Sequence, residues 1–204
     1  MGGGALMRPA VRVARGWGYG VPDLPDPADR RLPGLRPARE IAARLMACDA
    51  VHSWVAATEE AAAGERLRVY AERNGLAAWM TPAERRLWEA PRAPAASPAR
   101  ELLWPLAWAL GFEPAPPLDG AAATGKRIDA ILCDFMPGLG ARVDDLCGAP
   151  RDAREVAAVE ELFYCAEHAT SLPAGFDPGV HGEVIRCRRR ALTFCLGGPW
   201  NDVG

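Results

Sequence analysis

Glu161, Tyr164 and His168 are the residues of this chain whose types and spacing best suit chemistry. If the segment AREVAAVEELFYCAEHA is helical, Glu161 and His168 stand two turns apart, with Tyr164 between them on one stripe. A carboxylate, a phenol and an imidazole so placed can pass protons to and from a ligand. Arg154 extends the stripe, and Val156, Val159, Leu162, Phe163 and Ala166 form the opposite, apolar face. A polar stripe of this kind is also the ordinary wet side of an amphipathic helix.

The second group is the run of four arginines between Arg186 and Arg190. On a 100° wheel Val184, Ile185, Cys187, Ala191, Leu192, Phe194, Cys195 and Leu196 make one apolar arc. Arg186, Arg189, Arg190 and Thr193 fill the other side, where solvent is expected. Arg188 falls close to the centre of the apolar arc and is expected to be buried. A buried guanidinium needs a carboxylate or several carbonyls. Asp202 in the tail and Glu160 or Glu161 on the preceding helix are its candidate partners, forming either a structural ion pair or an anion-binding pocket. Trp17, Trp79 and Trp200 lie in segments suited to partner contacts.

Cys48 and His52 are i, i+4 and Cys165 and His168 are i, i+3, spacings that suit zinc. Both pairs sit within or beside apolar helix faces, where small thiols and core histidines are commonplace, so no metal and no cofactor is expected. TGKRID lacks the glycine spacing of a phosphate loop, and no nucleophile elbow, HExxH or dinucleotide fingerprint is present.

The elements that must position these residues are helical. Pro37 opens a helix through REIAARLMACDAVHSWVAATEEAAAG, on which Ile41, Leu45, Cys48, Val51 and Val55 share a face. ERLRVYAERNG is a shorter helix stopped at Asn74-Gly75. Thr81-Pro82-Ala83-Glu84 is a capping box that starts the next. ARELLWPLAWALG is apolar almost all round, marking a central buried helix with Pro105 inside it and Gly111 at its end. Thr124 caps a helix carrying Ile128, Ile131, Leu132 and Phe135, Asp152 starts the Glu161 helix, and the last runs from about Glu183 to Leu196. No period-2 strand pattern and no internal repeat stands out. The expected architecture is all-α: an irregular helical domain over 37–204, preceded by an extended Pro/Gly/Arg-rich arm over 1–36 that adds little to the core.

Half of the 204 residues are hydrophobic, enough for a sizeable core. A formal net charge of -2 sets up no field for nucleic acid or an anionic membrane surface. No apolar run reaches the length of a membrane span, and arginines interrupt the N-terminus where a secretory signal is apolar. The cysteines form no CxxC pair and read as reduced thiols of a cytoplasmic protein.

REIAARLMAC, MTPAERRLWEAP, ARELLWPLAWALGFEP, REVAAVEELFYCAEHA, and RRRALTFCL followed by WNDV together resemble the bacterial family known as domain of unknown function 4272, from about Pro37 to Val203. The family pattern resembles an Arg-Arg-x-Ala-Leu helix followed by Trp-Asp-Asp-Val. This chain departs from it with Asn201 for aspartate, Phe194 for tryptophan, Cys187 for glutamate and Ala158 for an acid. The resemblance implies a helical fold and carries no activity with it. The expected function is that of a non-catalytic binding or accessory protein with a protein partner. The alternative is a small enzyme using Glu161, Tyr164 and His168 near Arg188. Binding residues under either reading are Glu161, Tyr164, His168, Arg188, Trp200 and Asp202.

Overall fold

The computed structural model describes residues 9–16, 18–20, 34–56, 61–89, 99–112, 114–118, 120–123, 140–170 and 180–200. Among them lie seven α-helices and no strand: α1 Pro9–Gly16, α2 Ala38–Ala56, α3 Ala61–Arg73, α4 Pro82–Glu89, α5 Ala99–Ala109, α6 Ala153–Thr170 and α7 Val180–Cys195. Two short 3-10 turns, Leu76–Trp79 and Val143–Leu146, join them. The fold is all-α. The helix expected from Thr124 and the tail beyond Trp200, with Asp202, lie outside the described residues.

α5 is the centre. Every residue from Glu101 to Leu110 is buried, as its all-round apolar sequence requires. Pro105 withholds the backbone donor that would reach the carbonyl of residue 101. α2 packs along one side of α5 and α7 along another, α6 lies on α7, and α4 and both 3-10 turns lean on α2. The apolar arc of α7 is buried at every one of its eight positions.

Local signals fix most helix ends. Thr81 and Glu84 make the capping box in full: the Glu84 N–H donates to Thr81 Oγ1 at 3.1 Å and the Thr81 N–H to Glu84 Oε2 at 2.9 Å. The Asp152 carboxylate accepts from the Arg154 N–H at 2.8 Å and starts α6. Pro37 stands one position ahead of α2, its carbonyl taking the N–H of Ile41 at 3.3 Å. Of the helix expected to run through Gly64, α2 covers the part to Ala56 and Ala61–Gly64 stand at the start of α3, while residues 57–60 lie outside the described residues.

One expectation about the arm is corrected. α1 packs on α6 and buries Ala10, Val11 and Ala14, and Tyr19 is buried with its hydroxyl donating to the Leu118 carbonyl at 2.6 Å. Pro9 opens this helix, and positions 10, 11 and 14 form a single helical stripe with Arg12 and Arg15 off it. The glycines and prolines around it hid that period.

Gly111 closes α5 as expected, in a Schellman turn: its N–H donates to the Trp108 carbonyl at 2.9 Å and that of Phe112 to Ala107 at 3.2 Å. Its φ is +106°, and a Cβ there would stand 2.5 Å from the Ala149 carbonyl oxygen. Gly111→Ala is therefore expected to cost about 1–3 kcal/mol. Gly140, with open space at its Cβ position, is the control. Urea denaturation of Gly111→Ala and Gly140→Ala checks this, and equal midpoints would refute it.

Candidate functional site

Arg188 is wholly buried, at 0% exposure. Its Nε and Nη2 donate to one oxygen of Glu101, at 3.0 and 2.8 Å. Nη1 donates to the Pro117 carbonyl at 2.6 Å and Nη2 also to that of Ala121 at 2.7 Å. The other Glu101 oxygen accepts the Ala123 N–H at 2.6 Å. The guanidinium also lies 5.7 Å from the Trp104 ring centre, and the Trp104 indole donates to Pro114 at 2.6 Å. This one ion pair thus joins α5, α7 and the 114–123 loop, and satisfies its own charge as a buried pair must.

The direction of Arg188 agrees with the wheel; the acid it meets among the described residues is Glu101 and neither Glu160 nor Glu161, while Asp202 lies outside them. Glu160 and Glu161 lie on α6, whereas Arg188 faces α5. A wheel gives the bearing of a side chain and not which helix packs there. The signal for this partner was Glu101 itself, the one acid of a mostly apolar helix.

Glu160 serves the neighbouring arginine. Arg189 Nε donates to Glu160 at 3.2 Å, its Nη1 pairs with Glu167, and Thr193 donates to the same Glu160 oxygen at 2.8 Å. Arg186 pairs with Glu183 at 2.7 Å and lies 3.7 Å from Glu167. So Arg189 is half-buried in the α6–α7 seam and not fully solvated. Burial works against its charge, but Glu167 and then Glu160 outweigh it and raise its pKa above the ordinary arginine value.

The Glu161–Tyr164–His168 stripe divides by exposure. Tyr164 is buried with the Arg189 guanidinium 4.7 Å over its ring, His168 is exposed with its ring 5.2 Å from that of Tyr164, and Glu161 is half-buried. The stripe therefore has Arg189 beside it, while Arg188 turns toward α5.

Trp200 is half-buried. It lies 3.9 Å over the guanidinium of Arg44 and meets Phe194 edge-on at 5.2 Å. Arg44 is a second buried cation, at 2% exposure, that the sequence reading missed. Its Nη2 pairs with Glu84 at 2.7 Å and its Nη1 donates to the Trp79 carbonyl at 2.9 Å. The wheel of α2 places it between Val51 and Val55 on the apolar face, the same signal that exposed Arg188.

Among the described residues no three His, Cys, Asp or Glu side chains gather as a metal site. The Cys48 thiol points at Glu84, 3.8 Å away. Burial pushes the thiols of Cys48 and Cys195 far up, with Arg44 and Arg36 respectively opposing it. Burial and then Glu183 push Cys187 up to about 12. Cys147 is raised too, by burial and then Asp144, but it is only half-buried.

Residues 20–203 match the family described as domain of unknown function DUF4272, and the chain belongs to that family. No curated protein and no solved structure matches it. No helix among the described residues is long and apolar enough to cross a membrane.

Two outcomes are expected. Arg188→Ala leaves Glu101 buried and unpaired and should cost about 3–5 kcal/mol, whereas Arg190→Ala should stay within about 0.5 kcal/mol. Glu101→Ala should be non-additive with Arg188→Ala in a double-mutant cycle read by chemical denaturation; additive losses would reject the pairing. Separately, a raised thiol pKa leaves little thiolate at pH 8, so native alkylation there should modify Cys147 well before Cys48, Cys187 or Cys195. Peptide mapping by mass spectrometry gives the order, and early labelling of any of the three buried thiols would contradict it.

Proposed function

We propose that this protein is a non-catalytic binding or accessory protein of the bacterial cytoplasm, and that its ligand is another protein. The observation that carries this reading is the enclosure of Arg188, whose donors are directed to the buried Glu101 and to the carbonyls of Pro117 and Ala121 in the loop that covers it. An arginine so committed is a structural tie and not a receptor for an anionic substrate. Tyr164 is likewise covered by Arg189. Apolar groups left at the surface, among them Val13, Val69 and Leu87 with the half-buried Trp79, Trp88 and Trp200, suit contact with a polypeptide. A net charge of -2 does not favour nucleic acid or an anionic membrane surface.

Native mass spectrometry of the protein purified from its own host, with and without prior crosslinking, tests the reading. The expected result is a second polypeptide at fixed stoichiometry. A retained small molecule in its place, turned over by the wild type and not by Glu161→Gln or His168→Gln, would replace this reading with that of a small enzyme.

A further inference from the structure

α2 and α6 are opened by near-copies of one another: residues 36–43 read RPAREIAA and residues 151–158 read RDAREVAA, identical at six of eight positions. α5 and α7 close on a second shared pattern, LAWALGF at 106–112 and LTFCLGG at 192–198. The two opening arginines hold these two closing turns in the same way. The Arg36 N–H donates to the Cys195 carbonyl at 2.7 Å, and the Arg151 N–H to that of Ala109 at 3.0 Å. Arg36 Nε donates to Phe194 at 2.8 Å, and Arg151 Nε to Trp108 at 2.9 Å. Nη2 reaches the carbonyls of Gly198 and Phe112, at 3.3 Å in each case. The guanidinium planes lie 4.5 Å over Phe194 and 4.7 Å over Trp108. Nη1 pairs four residues on, with Glu40 at 3.0 Å and Glu155 at 2.8 Å. Each arginine thus satisfies the last carbonyls of a helix, where the negative end of the dipole also favours a cation.

We infer that the chain is built from two equivalent helix pairs, α2 with α5 and α6 with α7, which clasp each other reciprocally, and that the two clasps open as a single conformational unit. Within each pair the helices pack side by side, and α5 packs against α7 between the pairs. Arg36 of the first pair closes the last helix of the second, and Arg151 of the second closes the last helix of the first. Reciprocal contact between like surfaces is the pattern of a two-fold interface, here inside one chain. The links form a ring: α2 to α5 by packing, α5 to α6 by Arg151, α6 to α7 by packing, and α7 back to α2 by Arg36. Neither clasp can part beyond fraying without moving a helix held by the other. The device is independent of the proposed partner and is a property of the fold.

Hydrogen exchange of the full chain, read by mass spectrometry, tests it with Arg36→Leu and Arg151→Leu. Each variant should exchange about tenfold faster or more in both closing turns, 106–112 and 192–198. Faster exchange confined to the turn whose own arginine was replaced would overturn the coupling. No change at either turn would overturn the clasps themselves. Arg36→Lys and Arg151→Lys keep the charge but lose the planar fork, and give the same comparison if a leucine variant does not fold.

Discussion

A guanidinium shut off from water sits where α5 and α7 meet, and the arrangement around it follows from the need to satisfy that charge. Arg188 cannot stay in the core without Glu101, and Glu101 cannot stay in an apolar helix without Arg188. Once paired, they have donors and an acceptor left over, and these take the carbonyls of Pro117 and Ala121 and the N–H of Ala123. The connection after α5 is thereby drawn over the pair, and Leu118 in it receives the Tyr19 hydroxyl. One buried charge thus organises two central helices, a loop and the segment after α1.

The same physics is used a second time at Arg44. Its partner Glu84 already closes the capping box of α4, so one carboxylate starts a helix and neutralises a buried cation together. Trp200 lies over the guanidinium and brings the end of the described chain onto α2. Arginine suits both places because its planar fork reaches several acceptors and stacks on aromatic rings, which an ammonium does less well. That Lys126 is the sole lysine in the chain sits easily with this use of arginine.

How much of this the sequence disclosed depended on whether a signal was local. Capping at Thr81, the stop at Gly111, the buried arc of α7 and the inward bearing of Arg188 each rest on residues within a turn or two of one another, and each was legible. The identity of the helix facing Arg188 rests on tertiary packing and was not. Arg44 is marked by the same wheel, but it stands alone, without the run of four arginines in five positions that marks Arg188. α1 was hidden by the prolines and glycines around it. The paired RPAREIAA and RDAREVAA openings form no regular repeat, because their closing partners recur at a different spacing and no single period aligns both. Only the reciprocal contacts of Arg36 and Arg151 make the two halves comparable.

The arginine cluster of α7 shows how far a charge run is from a function. Successive residues on a helix are 100° apart, so Arg188 and Arg189 must enter different surroundings. One takes the α5 side and meets Glu101; the next takes the α6 side and meets Glu160 and Glu167. Arg186, a turn earlier, joins Glu183 and the edge of the same seam. In a linear reading these arginines form one basic patch, the kind of feature that suggests nucleic acid. In space they are divided between two interfaces and met by acids in each. The helical period, by separating neighbours in sequence, turns the apparent patch into the ties that hold α7 to the helices on either side of it.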